Sequence, residues 1–347
     1  MSKTITHIAV IRLSAMGDVA MTVPVIRALA LQHPSLKITV VSRPFFKPFF
    51  EGIPQVVFFA VDVKGRHKGF LGLLRLYKEL KKLGVDAVAD LHNVLRSQVV
   101  RTLFSLSGIP VAATDKGRAE KKALTRIASK TIEPLQPMTE RHVATLKQLG
   151  FSVDLSQPVF PEAKPLTSEV VSLTGIKGTQ RWIGIAPFAQ YEGKVYPLDL
   201  MQKVIDTLAQ QTTNTVFLFG GGSAEIAQLH TLAGTRSNCI VVAGKVSFSQ
   251  ELELISHLDV MLSMDSGNAH IAAMLGVHVV TLWGATHPYA GFVPFGQPMS
   301  SCLTSDREQY PFLPTSVYGN KKVAGYEQVM RTILPETVVA TLQSILN

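Results

Sequence analysis

The sequence predicts an α/β protein with two doubly wound domains, each built on a parallel sheet that helices cover on both faces. The length of 347 residues exceeds what one hydrophobic core usually organises. Two series of apolar, β-branched runs alternate with helical segments, and an aperiodic, proline-rich stretch at 154–167 separates them. With 46% hydrophobic and 17% charged residues, the composition is that of a folded chain.

The first series opens with a strand, a tight glycine turn and a helix. An apolar run at 7–13 leads into the turn 14–18 and then into a helical stretch at 19–32. The next apolar run follows a crossover long enough to hold that helix, as a βαβ unit requires. The predicted strands of this series are 7–13, 37–42, 56–61 and 86–91, with an amphipathic helix at 70–84.

The second series repeats the alternation after the proline-rich stretch. Its predicted strands are 181–188, 215–220, 239–244, 259–264 and 277–284, and its predicted helices are 197–211, 223–234, 249–258 and 266–276. We therefore predict an N-terminal domain at 1–165 and a C-terminal domain at 175–330. A final helix at 331–347 is expected to pack back on the N-terminal domain, and the segment 295–326 shows no regular pattern.

The cysteine content and the lengths of the apolar runs indicate the cellular compartment. Cys239 and Cys302 are the only cysteines, too few and too far apart for a disulfide framework. The first residues form too short an apolar run for a secretory signal, and no uncharged run reaches the length of a membrane span. We expect a cytoplasmic protein.

The net charge of +9 is concentrated in the N-terminal half, most densely between Lys64 and Lys130. A basic face attracts nucleic acid, anionic lipid head groups or a phosphorylated substrate. A solvated, mildly basic surface explains the same charge equally well. Nucleic acid is disfavoured, because no basic stretch is interleaved with aromatic residues and no nucleic-acid motif is present.

The strongest chemical signal is the stretch Met264–His270, between a predicted strand and the helix after it. Asp265 or Ser266 can cap that helix, and Gly267 lets a ligand approach the backbone. Free N–H groups at a helix N-terminus suit a pyrophosphate. The alternative is a well-capped buried helix in which His270 is an ordinary core residue.

Two further loops of the second series carry polar groups. Gly220–Gly222 precede Glu225, a carboxylate placed to accept hydrogen bonds from ribose or simply to favour its helix terminus. Lys194 lies in 193–197, where a compact cation can reach a phosphate leaving group, or where it is an ordinary exposed lysine. No G-x-G-x-x-G fingerprint follows the first strand of either domain.

In the N-terminal half, Asp18 opens the helix after the first strand. It either favours the helix terminus or acts as a general base on an acceptor hydroxyl. The stretch 90–97 ends another strand and offers polar side chains suited to sugar hydroxyls or an anionic acceptor. Because ligands bind at the carboxyl ends of parallel strands, these loops are the expected site.

Three stretches together, 11–29, 193–197 and 263–288, resemble glycosyltransferase family 9, the ADP-heptose:lipopolysaccharide heptosyltransferases. The resemblance covers almost the whole chain. It implies the GT-B architecture, in which two doubly wound Rossmann-like domains face each other across a cleft, the N-terminal one binding the acceptor and the C-terminal one the nucleotide-sugar donor. It also implies inverting transfer of heptose without a metal or other cofactor, and no Asp-x-Asp motif is present.

The resemblance also implies roles for individual residues. Asp18 matches the general base, Lys194 the lysine that stabilises the departing diphosphate, and Glu225 the acid that contacts ribose. The expected donor-binding residues are Ser14, Gly17, Gln190, Glu225, Val246, Phe248, Asp265, Ser266, Gly267 and His270. The expected acceptor-binding residues are Asp90, His92, Asn93, Arg96, Arg118 and Lys121.

The expected partners are a nucleotide-diphosphate sugar and the inner core or lipid A region of lipopolysaccharide, met at the cytoplasmic face of the inner membrane, with no nucleic acid. Ala189 and Gln190 stand where well-studied relatives carry phosphate-binding hydroxyl residues, so the phosphate contacts differ from theirs. The rival hypotheses are a related sugar-nucleotide epimerase or hydrolase and a non-catalytic sugar-nucleotide-binding protein. A nicotinamide oxidoreductase is weaker still, because the glycine fingerprint is missing.

Overall fold

The computed structural model describes residues 4–347 and divides the chain into two compact units. The N-terminal unit contains the chain up to Lys116 together with Gln136–Phe160. The C-terminal unit contains Gly117–Leu135 and Pro161–Asn347. Each unit has its own parallel sheet, which confirms the predicted fold class.

The sheet of the N-terminal unit has five parallel strands in the order β3-β2-β1-β4-β5. The strands are β1 (His7–Ile11), β2 (Lys37–Ser42), β3 (Val56–Ala60), β4 (Ala87–Asp90) and β5 (Val111–Ala113). The strand order reverses at β1, which has β2 on one side and β4 on the other. The turns that follow β1 and β4 therefore lie side by side, at the point where doubly wound sheets bind ligands.

Helices flank this sheet and supply its core. They are α1 (Met16–Ala20), α2 (Thr22–Gln32), α3 (Gly69–Lys82), α4 (Leu95–Leu106) and α6 (Met138–Gln148), with a 3₁₀ helix at Pro44–Phe50. In α3, Leu73, Leu76 and Leu80 recur at helical spacing and are buried against the sheet. Lys81 and Lys82 close the same helix, where cations complement the helix dipole.

The sheet of the C-terminal unit has six parallel strands in the order β11-β10-β9-β6-β7-β8. The strands are β6 (Arg181–Ala186), β7 (Asn214–Leu218), β8 (Cys239–Val241), β9 (Val260–Met264), β10 (Val279–Trp283) and β11 (Cys302–Thr304). The order reverses at β6, which pairs with β7 and with β9. β11 lies within the segment in which the sequence showed no regular pattern.

The helices of the C-terminal unit are α5 (Arg118–Leu124), α7 (Ser168–Thr174), α8 (Leu198–Ala209), α9 (Ser223–Ala233), α10 (Phe248–Ser256), α11 (Gly267–Met274) and α12 (Pro335–Leu346). Short 3₁₀ helices lie at Glu192–Lys194, Pro288–Ala290, Met299–Ser301 and Val329–Thr332. Along the described chain, 4–347, every helix lacks the combined length and apolar character that crossing a bilayer requires.

The C-terminal helix belongs to the C-terminal unit. In α12, Val338 and Leu342 are buried in the same core as Val204 and Leu208 of α8. The sequence led us to expect that residues 331–347 pack back on the N-terminal domain, whereas the buried side chains of this helix lie in the core of the C-terminal unit. The apolar face of α12 completes the core of the unit from which the helix emerges.

The segment 117–135 also belongs to the C-terminal unit, although the sequence placed it within an N-terminal domain at 1–165. The Lys121 ammonium lies 4.2 Å from the centroid of the Phe292 ring, and Leu135 N donates to Tyr289 O at 2.9 Å. Lys130 Nζ donates to Pro314 O at 2.9 Å. These partners lie far away in sequence, so no local pattern could have indicated them. The chain passes between the two units for the last time from Phe160 to Pro161, inside the proline-rich stretch at 154–167.

Candidate functional site

In the N-terminal unit, Asp18 is held at the turn after β1 by a buried arginine. Arg12 Nη2 lies 2.6 Å from Asp18 Oδ2, and Ala15 N donates to the same oxygen at 3.2 Å. Arg12 is anchored in turn, because it donates to Ser14 O at 2.9 Å and to Leu91 O at 2.7 Å. The Asp18 side chain remains 33% exposed. The turn thus presents an oriented carboxylate, a group able to accept a proton.

Arg12 was missed by the sequence analysis. Its only sequence signal is a cation that directly follows the apolar run 8–11, where one more hydrophobic residue would be expected. It bridges the turn after β1 and Leu91, the first residue beyond β4, and so ties together the two loops at the strand-order reversal.

His92 lies beside this turn, as the sequence predicted for an acceptor-binding residue in the same site. Its Nε2 is 3.4 Å from Ser14 Oγ. The pKa of His92 is lowered to about 3, chiefly by burial and also by the cations of Arg12 and Lys116, which outweigh the opposing effect of Asp18. The imidazole is therefore neutral near pH 7. Within residues 4–347, its Nδ1 has no hydrogen-bond partner and stands buried.

The lowered pKa of His92 predicts a loss of stability in acid. Below pH 6.5 the unfolded chain binds a proton that the folded chain rejects until about pH 3, so folding weakens as pH falls through that window. At pH 5 the penalty is about 2 kcal/mol. We expect His92→Gln to reduce the drop in unfolding free energy between pH 7 and pH 5 by that amount, measured by urea denaturation. An unchanged drop would contradict the neutral buried imidazole.

Asp90 and Asn93, both predicted to bind the acceptor, make hydrogen bonds that hold the turn after β4. Asp90 is fully buried: its Oδ1 accepts N–H bonds from His92 and Asn93 at 3.1 and 2.7 Å, and Arg101 Nη1 lies 3.3 Å from its Oδ2. Asn93 Nδ2 donates to Thr114 O at 3.0 Å. Both side chains stabilise the turn after β4, which carries His92.

The remaining predicted acceptor residues belong to different units. Arg96 is exposed at the start of α4 in the N-terminal unit. Arg118 is exposed and Lys121 is buried, and both belong to α5 in the C-terminal unit. The predicted acceptor set therefore draws on both units rather than on the N-terminal one alone.

In the C-terminal unit, Lys194 and Asp265 meet at the corresponding strand-order reversal, between β6 and β9. Lys194 Nζ lies 3.0 Å from Asp265 Oδ2, and the two side chains are only 14% and 8% exposed. Thr286 Oγ1 donates to the same carboxylate oxygen at 2.9 Å. Thr286, which the sequence analysis did not single out, follows β10, the neighbour of β9. The lysine ammonium is thus fixed at a carboxyl-end loop of the sheet.

The expected cap of α11 is absent. Ser266 is the N-cap residue, but its side chain makes no capping hydrogen bond and instead lies 3.1 Å from Ser263 Oγ. Asp265 is engaged by Lys194 and Thr286. Neither Asp265 nor Ser266 therefore accepts a hydrogen bond from the first N–H groups of the helix that begins at Gly267. N–H groups left without such a partner favour the binding of an anion. His270 is buried one turn further on.

The other predicted donor residues follow the same edge of the sheet. Glu225 is half-buried in the first turn of α9, and its Oε2 accepts the Gly221 N–H at 2.8 Å. Val246 lies between β8 and α10 and Phe248 is the first residue of α10, whereas Gln190 is exposed after β6. Because the strands run β9-β6-β7-β8, the loops present in order the helix terminus with Lys194, then Glu225, then two apolar side chains. In this order, the groups suit the diphosphate, the ribose and the base of a nucleotide.

Two donor residues of the prediction, Ser14 and Gly17, lie in the N-terminal unit instead, at the turn of Asp18. Over residues 4–347, His, Cys, Asp and Glu side chains form no group of three or more suited to hold a metal ion.

Comparison with known proteins shows which family the chain resembles. The family model described as "Glycosyltransferase family 9 (heptosyltransferase)" matches residues 73–318. A curated relative, the lipopolysaccharide core heptosyltransferase OpsX of Haemophilus influenzae, is 24% identical over 292 residues, which cover 81% of this chain and 80% of the relative.

Two solved structures have the same fold. The crystal structure of a family 9 glycosyl transferase from Veillonella parvula superposes with a TM-score of 0.76 at 21% identity, covering 100% of this chain and 98% of the other. Escherichia coli heptosyltransferase WaaC, solved with ADP, gives a TM-score of 0.67 at 17% identity, with 98% and 99% of the two chains covered. These likenesses confirm the predicted GT-B architecture of two Rossmann-like domains.

Proposed function

Since the chain belongs to glycosyltransferase family 9, and is therefore a glycosyltransferase, we propose that it transfers heptose from ADP-heptose to an acceptor in the inner core of lipopolysaccharide. The names of its relatives support the sugar and the acceptor class. The observation that carries the proposal is the order of groups along the carboxyl edge of the C-terminal sheet, where a lysine-bearing helix terminus, an acid and an apolar pair follow one another.

The donor nucleotide is assigned to the C-terminal unit from that order. Val246 and Phe248 flank the adenine, and Glu225 accepts hydrogen bonds from ribose hydroxyls. The diphosphate lies at the N-terminus of α11, where main-chain N–H groups and the helix dipole favour negative charge. Lys194 adds a cation that the Asp265 carboxylate holds in place. The ADP bound in the Escherichia coli relative is consistent with this nucleotide.

The proposed chemistry is a direct displacement. Asp18 takes the proton of an acceptor hydroxyl, and the oxygen forms a bond to the anomeric carbon as the bond from that carbon to the diphosphate breaks. The electron pair of the broken bond leaves with ADP, whose charge Lys194 and the N–H groups of α11 stabilise. A single displacement inverts the anomeric configuration. The chain's own cation and N–H groups supply the stabilisation, so we propose that no metal is required.

The acceptor is assigned to the N-terminal unit on its chemistry. The basic excess of the sequence suits the anionic groups of a lipopolysaccharide core, and the neutral His92 and the exposed Arg96 lie on the same unit as Asp18. We propose that the same charge draws the protein to the cytoplasmic face of the inner membrane, where such an acceptor is found.

Two measurements test the proposal. Calorimetry with ADP, UDP, GDP and CDP is expected to show the tightest binding for ADP. Transfer from ADP-heptose to a heptose-free core acceptor is expected to survive EDTA, and NMR of the product is expected to show an inverted anomeric centre. A preference for UDP would contradict the donor. Free heptose or an epimerised nucleotide formed without acceptor would favour the hydrolase or epimerase alternative.

A further inference from the structure

The loop Thr315–Lys322, from the stretch in which the sequence showed no pattern, is anchored to the end of β10. Thr315 N and Ser316 N both donate to Ala285 O, at 3.0 and 3.1 Å. Ser316 Oγ accepts the Gly319 N–H at 2.9 Å, which closes the loop on itself. Main-chain hydrogen bonds and the Ser316 hydroxyl therefore set the shape of the loop.

Gly319 is the point at which this loop meets Lys194. A Cβ atom at Gly319 would lie 2.5 Å from both Cγ and Cδ of Lys194, well inside contact distance. Gly319 also has a φ of +80°, a conformation that L side chains rarely adopt. The methylene stem of Lys194 thus occupies the space that any side chain at Gly319 would need.

The turn that carries Lys194 is constrained from the other side by β10. Gly193 O accepts the Ala285 N–H at 2.8 Å. A Cβ at Gly193 would lie 3.1 Å from Ala285 Cβ and 3.3 Å from Gly319 O. The main chain of this turn is therefore enclosed between the end of β10 and the loop Thr315–Lys322.

The main chain, the stem and the ammonium of Lys194 are each held by a different contact. The main chain before it is bound to Ala285, the stem lies against Gly319, and the ammonium lies against Asp265. Lys322 Nζ also contacts Glu192 Oε2 at 2.8 Å, but both side chains are more than 80% exposed, so this ion pair stabilises little. The contact at Gly319 is the one that decides where the stem lies.

We propose that Gly319 is a positioning residue for Lys194: because it has no side chain, the stem can lie against it, and this sets the place at which the ammonium meets the leaving diphosphate. The inference rests on the proposed function of Lys194. A methyl group at Gly319 would lie about 1 Å inside ordinary contact distance of the stem and must push it aside, and displacements of about 1 Å in a catalytic group cost about 100-fold in rate.

The test is Gly319→Ala, with Gly325→Ala as the matched control. Gly325 lies in the same segment with the same φ of +80°, but a Cβ there meets nothing within 4 Å, so the control carries the backbone strain without the contact. We expect Gly319→Ala to lower kcat by about 10- to 100-fold and to weaken ADP binding several-fold. We expect Gly325→Ala to change neither. Equal behaviour of the two variants would overturn the inference.

A double-mutant cycle with Lys194→Ala separates positioning from general damage. Once the stem is removed, the methyl group at Gly319 has room, so Gly319→Ala should no longer weaken ADP binding or lower the unfolding temperature beyond the effect of Gly325→Ala. Additive losses would overturn the inference. If Gly319→Ala alone does not fold, the double variant is expected to fold, and its failure to do so would also overturn it.

The cycle is read by ADP binding, so its outcome is distinct from that of the proposed function. A wild-type protein that binds ADP but transfers heptose to no acceptor would contradict the proposed function, and the coupling between Gly319 and Lys194 in ADP affinity would still decide this inference.

Discussion

Replacing Asp18 with asparagine is expected to lower kcat for heptose transfer by about 1,000-fold, the range that general-base catalysis contributes. Asparagine has nearly the shape of aspartate, and its amide oxygen can still accept the Ala15 N–H and a donor from Arg12. It cannot take a proton from the acceptor hydroxyl. Affinity for ADP should stay essentially unchanged, because the nucleotide is assigned to the other unit.

The ion pair with Arg12 makes a stability control necessary for Asp18→Asn. Arg12 is buried and loses its counter-charge, but the carboxylate is a third exposed, so the expected loss is only about 1 kcal/mol. Asp154→Asn is a suitable control, since Asp154 is an exposed carboxylate of the same unit that holds its own turn through Ser156. Full activity of Asp18→Asn with every acceptor tested would show that another group is the base.

Replacing Lys194 with alanine is expected to lower kcat by about 100-fold or more, as loss of a donor to a developing anion does elsewhere. It should also weaken ADP binding. The variant leaves the buried Asp265 carboxylate with Thr286 but without its cation, so a negative charge faces the diphosphate. Adding Asp265→Asn to Lys194→Ala is therefore expected to restore part of the ADP affinity, measured by calorimetry.

Lys177→Ala is the matched control for Lys194→Ala. Lys177 Nζ lies 2.9 Å from Asp259 Oδ1 in the same unit, so this variant also breaks a lysine–aspartate pair, one that lies outside the candidate site. Its kcat and ADP affinity are expected to equal those of the wild type. An equal loss in the two lysine variants would mean that Lys194 matters for folding alone, and would remove it from the proposed mechanism.

The strand–turn–helix units that carry Asp18 and Lys194 could be predicted because their signals are local. An apolar β-branched run followed by a glycine turn and a helical period specifies such a unit without reference to the rest of the chain. The position of the polar groups could be predicted as well, because loops at the carboxyl ends of parallel strands meet at one edge of the sheet. Both pairs of neighbouring loops are found at a strand-order reversal.

The contacts that orient these groups could not be predicted, because they join distant parts of the chain. Arg12 reaches Leu91, Thr286 reaches Asp265, and Gly319 lies on Lys194. Nothing in the sequence around Arg12, Thr286 or Gly319 indicates these contacts. The N–H groups of His92 and Asn93 that Asp90 accepts could not be predicted either, because they depend on the exact shape of the turn after β4.

The assignment of Gly117–Leu135 to the C-terminal unit means that the polypeptide passes from one unit to the other three times. A single cut between Phe160 and Pro161 would therefore separate Lys121 from Phe292 and Lys130 from Pro314. Chimaeras that exchange C-terminal halves between family members at this one junction would lose these contacts. A chimaera that keeps these contacts has to take Gly117–Leu135 from the same parent as the C-terminal half. The two halves of this enzyme therefore cannot be exchanged independently by recombination at a single junction.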